Sequence, residues 1–169
     1  MSIYSILKRV FNKSISIELK LFKSSFRISC ALERVWEFYT DVHHLKIVTP
    51  KELDLNLLEY SSRKFTQGTE FRIEGKILFQ RREWHSVITS IRLYEYVDVM
   101  LSGPFKRWKH VHKFFYDIEQ NQTEVVDEVE FELPYGLVGK MLEGFASNQL
   151  RKIFDHRRRI TIEELVNGV

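Results

Sequence analysis

The sequence predicts an α+β domain in which a curved antiparallel sheet of about six or seven strands wraps on one long C-terminal helix, with two short helices after the first strand. Three observations lead there. From Leu53 to Leu133 the chain is a series of segments that alternate apolar and polar residues between turn signals, the pattern of successive antiparallel strands. From Leu137 to Val166 the apolar spacing becomes helical, with Val138, Met141, Leu142, Phe145, Ile153 and Ile160 as the stripe. Such a sheet cannot bury its apolar face alone, and the long helix is the available cover.

The elements follow in order. Ser16 to Ser29 reads as extended, with Phe26 and Ile28 alternating against Arg27. Ala31 to Tyr39 is a short helix with Leu32, Val35, Trp36 and Tyr39 on one side. Asp41 suits the N-cap of a second short helix that ends at Thr49-Pro50. Strands are then predicted over Leu53–Tyr60, Thr69–Phe79, Arg82–Leu93, Tyr96–Leu101, Trp108–Ile118 and Thr123–Leu133. In the last two, lysines on one strand match glutamates on the other, as antiparallel neighbours require. Residues 1–15 form a separate extension ahead of a single domain spanning 16–169. Its Ile3, Ile6, Leu7, Val10 and Phe11 recur at helical spacing beside Lys8, Arg9 and Lys13. That pattern suits either peripheral contact with an anionic membrane or a short helix docked on the domain.

Composition narrows the function classes. The 169 residues are 44% hydrophobic and 29% charged, ordinary for a globular domain, and the formal net charge of +3 is too small to argue for nucleic acid. A single cysteine, Cys30, excludes an internal disulfide and a thiolate metal cluster; a cytoplasmic location is expected. Aromatic content is high at 14%, which suggests a pocket wall or an apolar interface. The glycines are scattered, so no phosphate-binding loop is expected. The basic run near Arg151–Arg159 reads as solvated helix surface.

The segment Trp108-Lys109-His110-Val111-His112-Lys113-Phe114 carries the chemistry. Side chains alternate along a strand, so Trp108, His110, His112 and Phe114 share the inward face while the lysines meet water. With a hairpin turn near Gln120-Asn121, Phe114 is expected opposite Asp127, and His112 diagonal to it. His110, His112 and Asp127 then read in three ways: partners that satisfy each other's hydrogen bonds, a general acid/base set, or polar anchors for a ligand. No metal is expected, because no further ligand is convincingly placed beside them, and no cofactor. Phe71, Phe79, Trp84, Met100, Trp108, Phe114, Phe131, Met141 and Phe145, together with His110 and His112, are the expected lining of a ligand site.

Several ordered motifs carry a resemblance. They are Val35-Trp36-Glu37-Phe38, Leu45 to Pro50, Trp84 to Ile88, Asp98 through Gly103-Pro104-Phe105, Trp108 to Phe114, Thr123 with Asp127, Leu133-Pro134-Tyr135-Gly136, and Ile153-Phe154 with Arg157. Together they run from about residue 16 to residue 162, and the chain resembles the START-like, or SRPBCC, superfamily. That group includes birch-pollen-allergen-like proteins, polyketide cyclases and coenzyme Q-binding proteins; the likeness is strongest to uncharacterised bacterial members. Met100 departs from the related pattern, which often carries glutamine there. The resemblance implies a helix-grip fold and a hydrophobic small molecule, such as a lipid, quinone or polyketide, held between sheet and C-terminal helix. The alternatives it leaves open are a cyclase, dehydratase or hydrolase using the inward His/His/Asp set, and a partner-binding or membrane-surface module with a vestigial pocket.

Overall fold

The computed structural model describes residues 19–77, 80–134 and 136–168. The extension 1–15, Phe79 and Tyr135 lie outside the described residues. Seven strands form one antiparallel sheet: β1 (Lys20–Ile28), β2 (Asn56–Tyr60), β3 (Glu70–Ile77), β4 (Gln80–Arg92), β5 (Glu95–Ser102), β6 (Arg107–Asp117) and β7 (Gln122–Glu132). Their spatial order is β1-β7-β6-β5-β4-β3-β2, so the first strand pairs with the last and the others follow as a meander. Helices α1 (Leu32–Tyr39) and α2 (His44–Ile47) lie between β1 and β2. Helix α3 (Leu137–Ile162) follows the sheet and ends in a π-helical turn, Glu163–Asn167. This is the predicted helix-grip architecture.

Alternation governs the sheet as expected. On β6, Trp108, His110, His112 and Phe114 are buried, while Lys113 reaches Glu128 at 2.9 Å and Lys109 lies 3.7 Å from Glu130 on the other face. The register differs from the expectation by two residues. Asp127 lies opposite His112, and Phe114 lies opposite Val125. The hairpin closes earlier than the sequence suggested, with Asp117 paired to Gln122 and Asn121 in the left-handed region at φ 51°.

Asp41 does more than begin α2. Its Oδ1 accepts the His43 amide at 3.0 Å, and its Oδ2 accepts from Arg63 Nε at 2.9 Å. Burial works to raise this carboxyl, but the His43 amide and the Arg63 guanidinium outweigh it and hold it below the usual carboxylate range. It thereby ties the α1–α2 turn to the loop before β3.

Helix α3 shares Ile160 with the expected stripe, but Val138, Met141, Leu142 and Phe145 are exposed. Gly139, Leu150, Phe154 and Thr161 are buried, and Ala146 packs with Leu150 and Phe154 against Trp108 and Phe131. Met141 is 85% exposed and Phe145 48%, so neither faces the sheet. At roughly 100° per residue they stand about 180° and 140° around the helix from Leu150. Apolar spacing alone selected the outer flank, because the inward positions of the first turns are small or polar. The start of α3 packs so closely on the preceding turn that a Cβ at Gly139 would come 2.2 Å from the Pro134 carbonyl oxygen. A Cβ at Gly144 meets nothing within 4 Å.

Gly139→Ala is therefore expected to lower unfolding stability by roughly 1–3 kcal/mol, through displacement of the helix start. Gly144→Ala should instead raise it by about 0.5–1 kcal/mol through helix propensity. Equilibrium urea unfolding of both variants checks the opposite signs.

Candidate functional site: a buried polar row across three strands

Three neighbouring strands each carry one tier of apolar residues, one polar tier, and a second apolar tier. On β5 the order is Tyr96, Asp98, Met100; on β6 it is Phe114, His112 and His110, Trp108; on β7 it is Val125, Asp127, Val129. Register aligns the polar tiers, with Asp98 opposite His110 and His112 opposite Asp127. The result is a row of ionisable groups under the middle of the sheet, all four residues buried. It separates two apolar clusters. Phe114, Tyr96, Val125 and Phe71 pack with α1 on one side. Trp108, Val129 and Phe131 pack with Leu150 and Phe154 on the other.

The contacts within the row are close. His110 Nε2 lies 2.9 Å from Asp127 Oδ1, and its Nδ1 lies 3.5 Å from Asp98 Oδ2. His112 Nε2 lies 3.3 Å from the same Asp98 oxygen. His112 Nδ1 is also 2.9 Å from Asp127 Oδ1, but the direction is too far off line for a hydrogen bond, which leaves that nitrogen buried without a partner. The two imidazole centroids are 3.6 Å apart, and Tyr96 stacks on His112 at 4.1 Å. From α3, Arg157 extends into the interior. Its Nη1 lies 3.7 Å from Asp127 Oδ1, its guanidinium lies 4.9 Å from the Phe154 ring centre, and its Nε is buried without a partner. Tyr39 from α1 completes the surroundings, sharing a 3.0 Å hydrogen bond with Thr161 and accepting one from Tyr96 Oη on its carbonyl oxygen at 3.2 Å.

Burial sets the protonation states. Loss of water pushes the His110 imidazole down to about 4, and His112 beside it acts in the same direction, against Asp127 and Asp98. For Asp127, burial opposes ionisation, yet the His110 hydrogen bond and the nearness of both imidazoles hold the carboxyl far below its usual range. Burial raises both the Tyr39 and Tyr96 hydroxyls well above the ordinary tyrosine value, so both remain hydrogen-bond donors at neutral pH.

The structure brings His110, His112 and Asp127 together. It places Trp84, Met100, Trp108 and Phe131 in one apolar cluster and Phe71 and Phe114 in the other, rather than around one common space. Trp84 meets Trp108 edge-on at 4.8 Å. Sequence reasoning did not assign Asp98 or Arg157 to the site. Asp98 was readable in the alternation Tyr96, Asp98, Met100, and Arg157 in the helical spacing Leu150, Phe154, Arg157, Thr161. Two surface depressions accompany the fold. A groove of about 700 Å³ runs between β1 and α3, past Phe22, Ser24, Ser147 and Arg151, and one of about 530 Å³ lies beside the last turns near Arg158 and Ile162. Neither is lined by the inward residues of β6.

The His110 shift has a definite sign in stability. The unfolded chain takes up this proton near pH 6.5, the folded one only near 4. The folded state therefore loses stability as pH falls through that window, by up to about 3 kcal/mol. His110→Gln should flatten the curve between pH 6.5 and 4 in chemical unfolding with EDTA present, while the steeper loss below that window persists through Asp127.

No family model matches this sequence, and no curated protein sequence matches it. Solved structures do match its fold. TTHA0849 from Thermus thermophilus superposes with a TM-score of 0.71 at 16% identity, covering 88% of this chain and 99% of that one. A START superfamily protein from Mycobacterium smegmatis gives 0.66 at 10% identity, covering 88% and 99%. The Zhui aromatase/cyclase from a Streptomyces species gives 0.62 at 12% identity, covering 89% and 93%. At such identities the likeness speaks to fold alone: this chain has the helix-grip fold of the START-like, SRPBCC-type proteins.

Proposed function

We propose that the chain binds a hydrophobic small molecule against the Trp84–Met100–Trp108 part of the sheet's inner face, with the polar row at one end of the site. The observation that carries this reading is uneven burial on the two sides of the row. On the Phe114 side, the inward residues are sealed by Val35, Phe38 and Tyr39 of α1. On the other side, Trp84, Met100 and Phe105 remain partly exposed although they pack on Trp108 and Phe131. Helix α3 covers this region with Leu150 and Phe154 and, one turn earlier, with the small Ala146. Covering ~300 Å² of ligand apolar surface there gains roughly 7 kcal/mol gross, of which association entropy removes a large share. Micromolar binding follows without any chemistry. Fold relatives that include a START superfamily protein and an aromatase/cyclase support the same reading.

The geometry of the row favours a second reading, an acid/base enzyme of cyclase, dehydratase or hydrolase type. A neutral His110 hydrogen-bonded to an ionised Asp127 is the arrangement of an oriented general base. The two readings share the binding surface and differ only in whether a proton moves. Among the described residues no helix is long and apolar enough to cross a membrane. Contact of residues 1–15 with a membrane surface is a separate proposal.

Binding of the naphthalene dye 1-anilinonaphthalene-8-sulfonate tests the surface. Trp84→Ala should weaken it by roughly tenfold or more, about 1.5–3 kcal/mol of lost apolar contact. Leu93→Ala, at an 80% exposed turn position, should leave it unchanged. Native mass spectrometry of protein taken directly from cells should show a bound apolar molecule. Equal dye affinity in both variants, with no co-purifying ligand, would remove the binding reading.

A further inference from the structure

We infer that Asp98, His110 and His112 form a site for one divalent transition-metal ion, zinc or ferrous iron by the chemistry of the donors, with Asp127 orienting His110 and packed beside His112. Each of the four ring nitrogens faces a carboxylate oxygen: His110 Nε2 and His112 Nδ1 face Asp127 Oδ1 at 2.9 Å, while His110 Nδ1 and His112 Nε2 face Asp98 Oδ2 at 3.5 and 3.3 Å. Only two of these four contacts have hydrogen-bond geometry, His110 Nε2 with Asp127 and His112 Nε2 with Asp98, and His112 Nδ1 is buried without a partner. That is unfavourable in a buried setting, where unpaired acceptors are costly.

A cation on the Asp98 side takes up the two longer contacts. The His110 N–H then stays on Nε2, hydrogen-bonded to Asp127, and His110 Nδ1 and His112 Nε2 converge with Asp98 Oδ2. Those three donor atoms all lie within 4.8 Å of one another. An ion at about 2.0–2.2 Å from each holds tetrahedral donors about 3.4 Å apart. The observed 3.3 and 3.5 Å fit that spacing and are long for hydrogen bonds, which centre near 2.9 Å. For His110, Asp127 takes the place of the carboxylate that commonly receives the second N–H of a metal-bound histidine. Two imidazoles and one carboxylate suit zinc or ferrous iron and leave a coordination position for water or a ligand group. Beside His110, His112 and Asp127 the sequence offered no further ligand; Asp98, across the strand from His110, provides one.

The test is titration of EDTA-treated protein with zinc and with cobalt(II), each metal alone. One equivalent should bind, and cobalt should give visible d–d absorption from an ordered nitrogen–oxygen site. Asp98→Asn and His112→Gln should weaken binding by more than about 100-fold, and Asp127→Asn by roughly 10–100-fold. His85→Gln and His156→Gln should leave it unchanged. Should the site variants fail to fold, anomalous diffraction from zinc-soaked wild-type crystals locates the ion without them, and the peak should fall among Asp98 Oδ2, His110 Nδ1 and His112 Nε2. Absence of stoichiometric binding in the wild type, a peak elsewhere, or binding undiminished in a folded Asp98→Asn protein overturns the inference. None of these readouts depends on whether an apolar ligand binds beside Trp84.

Discussion

The interior of this protein is organised by an electrostatic demand: four buried ionisable side chains on three adjacent strands must find partners in one another. Asp98, His110, His112 and Asp127 can meet only if β5, β6 and β7 hold the observed register. A slip of one residue on β6 would turn the two imidazoles outward and drive Lys109 and Lys113 into the apolar layers. Removing one partner of such a set leaves an uncompensated buried charge, at a cost of roughly 3–5 kcal/mol. Arg157 extends the same demand to α3, since its guanidinium reaches Asp127 only when the helix lies across this part of the sheet. The row thus organises the interior of the fold. It fixes strand register, it positions the helix, and it places polar chemistry between two apolar clusters.

That division explains why the two halves of the interior differ. The half beneath α1 is closed by rings in mutual contact, with Phe114 between Trp36 at 5.6 Å and Tyr39 at 5.1 Å. The half around Trp84 and Trp108 is assembled from large rings on the sheet and Ala146, Leu150 and Phe154 on the helix, and Trp84, Met100 and Phe105 stay partly exposed. A binding surface beside a preorganised polar group is what both functional readings require. A metal at Asp98, His110 and His112 would stand at the boundary, available to a polar group on a ligand whose body rests on Trp84 and Met100.

Much of this was legible in the sequence, and the exceptions have physical causes. Strand alternation placed His110, His112 and Asp127 inside, because side-chain direction in a strand depends only on parity. Register was misjudged by two residues because parity is preserved under such a shift, and only the backbone of the turn, with Asn121 at positive φ, decides between the choices. Asp98 escaped notice as a site residue because a lone acid between Tyr96 and Met100 gains meaning only when His110 is known to lie opposite. Arg157 was read as solvated surface because it sits in a run of cations, yet it shares a helix face with Leu150 and Phe154. Met141 and Phe145 misled in the opposite direction: their spacing is helical, but they stand on the outer flank, and the inward turns of α3 use glycine and alanine.

The state of the His110 ring tests the account most directly. In ¹⁵N-labelled protein at about pH 7, the side-chain nitrogen shifts should show a neutral imidazole with its proton on Nε2, slowly exchanging with water and coupled to Asp127, and a bare Nδ1. A doubly protonated ring, or one averaging rapidly between tautomers as an exposed histidine does, would contradict the buried row from which the rest is built.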